Sequence, residues 1–506
     1  MLSTRLDKPT LAFGVVLLAL VASRIATLML TPLELQFDEA QYWFWSRTLD
    51  WGYFSKPPLI AWAISATTSL FGNAEWAVRL AAPLAHGAAS VALFMLARNA
   101  YSPWAGFWAG IGWLLMPAVW LSSHVISTDA LLLPLWALGL LALWRFYQTS
   151  AWAWAITLGA AIGLGLLTKY AMAYFFLCAA IAAIWIPALR ARLLSLKGFA
   201  ALAISLAFVA PNLAWNASNH FSTIEHTAAN ASSSGFGVHP NEFFEFLSAQ
   251  LAVFGPIPFI ALIWLAISAL RRPSELKDRD KAAIAFAAPP LLIICAQAML
   301  SHAHANWAVT AYPAAILWLA GRLSEVKLGR LTLIAAAATQ ILLCGIGTAG
   351  LLNSRFADSI GAANALEDGR GWRVIAHETA TRARALGPFS AVSVDHRALF
   401  FELTYYWALT GEKDLPPLRM WVLHADARNH AEATAPLTPA NGARVLLVQS
   451  QPRYEDELAG DFTKTAPIVR IQVDRGATDP FPILFAIGEN FTPAPRDAAF
   501  EARIGD

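Results

Sequence analysis

The sequence predicts a polytopic α-helical membrane protein that ends in a soluble α/β domain, and three observations carry that prediction. The 506 residues are 57% hydrophobic and only 14% charged, whereas roughly one quarter of a soluble chain is charged. Apolar runs recur from Leu11 to about position 352, with basic residues in every second connection. The pattern then changes at Asn353, where charges, the Pro416-Pro417 pair and short β-like runs begin.

Arg5 and Lys8 precede the first run, Leu11 to Leu30, as they would in a signal peptide. A run of about 20 residues suits a spanning helix better than a cleavable core. Further runs follow near 77–97, 104–121, 130–147, 152–168, 171–188, 198–215, 250–270, 283–300, 308–320 and 331–352. That makes about eleven spans, several too short to cross straight, so tilted or broken helices are expected.

With a cytoplasmic N-terminus, alternate connections carry Arg98, Arg145, then Arg190, Arg192 and Lys197. The next two carry Arg271, Arg272, Lys277, Arg279 and Lys281, and then Arg322, Lys327 and Arg330. The opposite connections include long loops near 31–76 and 216–249 and are poor in basic residues. This asymmetry orients the chain, and an odd number of spans leaves the tail outside the cytoplasm. The expected division is a membrane domain over 1–352 and a periplasmic α/β domain over 353–506. β-like runs at Ala391–Val394, Arg444–Val448 and Ile468–Val473, with a helical pattern at Trp372–Leu386, define the latter.

Composition also excludes. A net charge of +2 gives no field for nucleic acid. Cys178, Cys295 and Cys344 all lie in apolar runs, so neither a disulfide framework nor a CxxC metal pair is available. The lack of an internal repeat counts against transporters built from inverted halves.

The chemistry concentrates in the first long loop. Asp38 and Glu39 open an aromatic segment, Phe37-Asp-Glu-Ala-Gln-Tyr-Trp-Phe-Trp45, suited to a short interfacial helix. Adjacent helical residues stand about 100° apart, so the two carboxylates cannot serve one atom. One can act as a base while the other holds substrate or a neighbouring helix; both can instead simply cap the helix N-terminus. Lys56 precedes Pro57-Pro58, which forces it into an extended corner beside the membrane. A fixed cation there suits a lipid phosphate, as it would suit a snorkelling lysine. Asp129 opens the fourth span and Lys169 lies between the fifth and sixth, both on the same side as Asp38. Charges against spans are costly and are usually paired or functional. His226, and the group His302, His304, Asn306 and Trp307, fall on that side too. His304 and Asn306 are read as hydrogen-bonding groups for sugar or phosphate. His302 and His304 are the candidates for a divalent metal, although two ligands do not complete a site.

Phe37-Asp38-Glu39, Trp51-Gly-Tyr-Phe-Ser-Lys-Pro-Pro-Leu59, Ser127-Thr-Asp129 and Leu167-Thr-Lys169, in this order and spacing, resemble the GT-C superfamily of membrane glycosyltransferases. The likeness is to the bacterial branch of the protein mannosyltransferase and lipid A aminoarabinose transferase group (glycosyltransferase family 39/83-like), over about 1–350 and weakly over the tail. The resemblance implies a GT-C fold in a bacterial inner membrane and an inverting transfer from a polyprenyl-phosphate sugar. The acceptor would be lipid A or lipopolysaccharide, another surface glycan, or a protein. By the same resemblance Asp38 is the catalytic carboxylate with Glu39 beside it, Lys56 and Lys169 face phosphate, and Asp129 orients the site. The aminoarabinose transferases carry an acidic residue, implicated in metal binding, where this chain has Ser55. A transporter or flippase of lipid-linked sugars, or a scaffold presenting the tail, are the alternatives; neither needs all these motifs together.

Overall fold

The computed structural model describes residues 7–219, 221, 223–225, 237–476 and 480–504. Among them, six helices are long and apolar enough to cross a membrane: Lys8–Leu30, Glu75–Ala100, Thr128–Thr149, Leu196–Ser218, Asp278–Leu300 and Lys327–Leu352. A further apolar pair, Pro240–Phe254 and Pro256–Arg271, is bent by 115°, the shape of a broken span or a re-entrant loop. Eleven full-length spans are therefore not found. Every expected run does meet a helix, but several are short or interrupted, as at Pro103–Leu115 and Pro117–Ser122, or Trp152–Leu166. Leu59–Phe71, expected within a loop, is a further apolar helix.

The bent pair shows how an interrupted apolar helix satisfies its backbone. Gly255 takes φ +99°, which only glycine adopts without strain. The break frees backbone groups that lipid cannot satisfy. Gln340, from the Lys327–Leu352 helix, donates its side-chain amide to the Phe254 carbonyl at 3.0 Å. A buried polar side chain thus closes the gap.

After Leu352 the chain builds a five-stranded sheet in the order β2-β1-β3-β5-β4. The strands are β1 (Ala391–Val394), β2 (Leu418–Met420), β3 (Arg444–Gln449), β4 (Phe462–Val473) and β5 (Phe481–Phe491). β1 pairs in parallel with β2 and β3, while β5 is antiparallel to β3 and β4. The helix Arg397–Thr410 makes the crossover from β1 to β2.

This sheet unit is docked on the first long loop. A single core runs from Trp43, Trp45 and Tyr53 through Ile60 to Phe400, Phe401 and Tyr405 and on to Val392 and Val448. Trp43 meets Tyr405 edge-on at 5.0 Å. The Leu35 N–H donates to the Tyr406 hydroxyl (3.0 Å), the Tyr405 hydroxyl to the Asn73 carbonyl (2.6 Å), and the Glu34 N–H to the Gly369 carbonyl (2.9 Å). Apolar contact and backbone pairing fix the same orientation, so the loop and the sheet hold each other.

Candidate active site

The helix Phe37–Trp45 places its two acids by simple rotation. Glu39 turns inward and is fully buried. Its Oε1 accepts from Arg79 Nε (2.9 Å) and the Ile126 N–H (2.8 Å), and its Oε2 from Arg79 Nη2 (2.6 Å) and the Gln36 N–H (3.0 Å). Arg79 in turn donates to the carbonyls of Leu33 (3.2 Å) and Glu34 (2.7 Å). Glu39, expected beside Asp38 among the catalytic carboxylates, is thus fully buried with both oxygens occupied by these donors.

Asp38, one position earlier, faces out with half its side chain exposed. Its nearest charge partner is Arg397, at 4.0 Å from Oδ1. The Arg397 guanidinium also lies over the Phe37 ring, 4.9 Å from its centroid. Asp38 is thus an open carboxylate fixed on a helix whose neighbouring residue is anchored.

The Lys-Pro-Pro corner is rigid, as the sequence predicts. Pro57 and Pro58 are buried. The Tyr53 N–H donates to the Lys56 carbonyl (3.1 Å), and the Leu59 N–H to the Leu167 carbonyl (2.9 Å). The corner is therefore clamped against the turn that carries Lys169. The Lys56 ammonium makes no ion pair or hydrogen bond among the described residues. Burial lowers its pKa, opposed first by the Asp38 carboxylate; Lys169, Asp129 and Arg397 act on it as well. Four charged groups from four separate stretches of chain therefore surround one unspent cation.

Asp129 and Lys169 form a pair, Nζ to Oδ1 at 2.7 Å. Asn306 Nδ2 donates to the other oxygen, Oδ2, at 2.9 Å. Asn306, expected to meet substrate, thus spends a donor on orienting Asp129. His302 and His304 stack edge-on at 4.5 Å, and His304 against Trp307 at 5.2 Å. Among the described residues no three His, Cys, Asp or Glu side chains gather to hold a metal. The position before Lys56 is a buried serine, Ser55. The described residues therefore do not complete a metal site. His226 lies outside the described residues.

Arg397 is the site residue that sequence reasoning missed. It stands more than 350 residues from Asp38, and no spacing argument links them. Tyr42 was missed too, although i, i+4 spacing on a helix puts it above Asp38. It is buried, and burial followed by the Asp38 charge raises its phenol pKa, so it stays a donor.

The chain is similar to several known proteins. Residues 55–215 match the dolichyl-phosphate-mannose-protein mannosyltransferase family, a stretch that holds Lys56, Asp129 and Lys169. The lipid A galacturonosyltransferase RgtD of Rhizobium johnstonii is 40% identical over 300 residues, which is 58% of this chain and 63% of that protein. The crystal structure of ArnT from Cupriavidus metallidurans in the apo state superposes with a TM-score of 0.61 at 18% identity, covering 96% of this chain and 99% of that one. ArnT bound to undecaprenyl phosphate gives 0.62 at 18% identity, covering 97% and 98%. The chain therefore has the ArnT-like GT-C fold along nearly its whole length.

Proposed function

We propose that this chain is an inverting glycosyltransferase that moves a sugar from a polyprenyl-phosphate carrier to a lipid acceptor of the lipid A type. The observation that carries the reading is the largely buried Lys56 ammonium, without an ion pair or hydrogen bond among the described residues and within the field of the open Asp38 carboxylate. A buried cation with no counter-ion is costly, and an arriving phosphate removes that cost. Asp38 takes the proton from the acceptor hydroxyl, whose oxygen bonds to the anomeric carbon as the bond to phosphate breaks. The phosphate departs with the electron pair, and Lys56 stabilises its charge. Asp129, held by Lys169 and Asn306, keeps the second cation in place. The leaving group is already stable as an anion, so no acid need protonate it. Support comes from the names of the similar proteins, one a lipid A transferase and one holding undecaprenyl phosphate. The direct test is purified protein in nanodiscs with a polyprenyl-phosphate sugar and lipid A, read as glycosylated lipid by mass spectrometry. Carrier crossing the bilayer without any transfer would favour a flippase instead.

The site would face the periplasm of a bacterial inner membrane. The basic connections support this orientation, as does the core shared by the first loop and the sheet unit. Single cysteines introduced at Asp426 and Glu275 in a background free of Cys178, Cys295 and Cys344 should label differently. Position 426 should react in intact cells and position 275 only after the inner membrane is opened; the reverse would overturn the orientation.

A pH profile checks the lysine. Lys56 must be protonated to hold phosphate, and burial brings its pKa below the ordinary 10.5. Rising pH should therefore remove the cation early, and kcat/KM should fall along an alkaline limb below the usual lysine range. In Lys56→Arg that limb should move to higher pH, because a guanidinium stays charged. An unmoved limb would assign it to another group.

A further inference from the structure

We propose that Glu402 makes the docking of the sheet unit on the first long loop proton-dependent: the docked seam holds this side chain as a neutral acid, so docking takes up one proton.

Glu402 lies on the face of the helix Arg397–Thr410 that grips the loop. Tyr405 and Tyr406, three and four positions on, share that face and hydrogen-bond to the Asn73 carbonyl (2.6 Å) and the Leu35 N–H (3.0 Å). Glu402 itself is fully buried. Neither of its oxygens has a hydrogen-bond partner among the described residues. Buried polar groups are nearly always hydrogen-bonded, so an orphan pair of oxygens asks for a physical reason.

The charges at the seam supply one. Four acids, Glu34, Glu39, Glu75 and Glu402, meet three arginines, Arg79, Arg373 and Arg475. Glu39 takes Arg79. Glu75 takes Arg373, which also lies 3.8 Å from Glu34. Burial raises the Glu34 pKa as well, opposed by the N–H groups of Trp372 and Arg373 and by the Arg373 charge. Arg475 donates to the carbonyls of Glu367 (2.8 Å) and Arg370 (3.1 Å). Glu402 is left without a direct partner. Burial raises its pKa well above 4.5, Glu34 and Glu39 add to the rise, and Arg79 and Arg475 oppose it. Titratable groups on the other packed elements are engaged elsewhere. His430 packs on Phe44 and Trp45, Arg382 pairs with Glu378, and Arg419 donates to the Leu418 carbonyl. Asp395 accepts from the Ser450 and Gln451 N–H groups. An ionised carboxylate at Glu402 would be an uncompensated buried charge, whereas a neutral acid costs far less.

Undocked, Glu402 meets water and titrates near the ordinary 4.5; docked, it keeps its proton to higher pH. Docking is therefore strongest below that ordinary value and weakens as pH rises towards the docked one. The docking equilibrium should fall by up to about tenfold per pH unit, the effect of one proton. The helix that carries Glu402 begins at Arg397, so a loosened seam also draws Arg397 away from Asp38.

The test sets the full chain in nanodiscs beside Glu402→Gln, which copies the neutral acid in shape, and Glu402→Leu, which removes the polar group. Limited proteolysis of the sheet unit reads undocking. Dividing the wild-type rate by a variant's at each pH cancels the protease's own response. That ratio should climb by up to about tenfold per unit between about pH 5 and pH 8, while the two variants keep a constant ratio to each other. Infrared spectra at neutral pH should show a protonated-carboxyl band in the wild type that both variants lack. A wild-type-to-variant ratio indifferent to pH, or a wild-type spectrum without that band, would overturn the inference. Should Glu402→Gln fail to fold, Glu402→Leu and the wild-type spectrum decide in the same way.

Discussion

Asp38→Asn should lower turnover by about 10²–10⁴, the usual contribution of a positioned base, while donor binding stays nearly intact. The substitution keeps shape and hydrogen-bonding capacity but removes basicity. The expectation follows from exposure: Asp38 is half open, makes no hydrogen bond among the described residues, and meets only Arg397 at 4.0 Å. Removing its charge breaks no hydrogen bond but takes away the carboxylate that most opposes the burial of Lys56, so the unfolding temperature of the same variant is measured to separate a loss of fold from a loss of chemistry. Lys56 should still hold the carrier phosphate, so donor binding, followed by tryptophan fluorescence of the nanodisc-embedded protein, separates the two effects. Full turnover in Asp38→Asn would remove the base from this site and reopen the flippase reading.

Much of this was legible because it is local. The helix Trp372–Leu386 and the strand Ala391–Val394 form at the residues where side-chain periodicity places them. Leu418–Met420 has only three residues, too few for an alternating pattern to register. The apolar runs announced the membrane helices, but not how many would reach across: composition records apolarity, whereas a break such as Gly255 depends on Gln340 some 85 residues away. At the site, the motifs around Asp38, Lys56, Asp129 and Lys169 stand out in the sequence because each is short and chemically unusual for its setting. What Glu39 does was hidden. Rotation on a helix said that Asp38 and Glu39 must diverge, and only Arg79, forty residues on, decides which one turns inward. Arg397 was hidden for the same reason, since its proximity to Asp38 is made by docking of the sheet unit.

That inward turn sets the last expectation: breaking the Glu39–Arg79 pair should cost stability before it costs chemistry. The pair is almost inaccessible, with side chains 1% and 4% exposed. Removing one partner of such a pair leaves a buried charge uncompensated, typically at about 3–5 kcal/mol. Glu39→Gln should therefore lower the unfolding temperature markedly, with residual activity that tracks the folded fraction. The loss should spread, because Glu39 also receives the Ile126 N–H and Arg79 also holds the Leu33 and Glu34 carbonyls. Glu34 lies in the segment on which the sheet unit docks, so proteolysis between the membrane helices and the sheet should speed up in step. Replacing both partners, Glu39→Leu with Arg79→Met, should recover part of the stability, because no charge is left buried. The double-mutant cycle should then show a coupling well above the ~1 kcal/mol of an exposed pair. A Glu39→Gln protein that unfolds like the wild type yet is inactive would return Glu39 to the reacting groups. The assignment of Asp38 as the sole base would then fall with it.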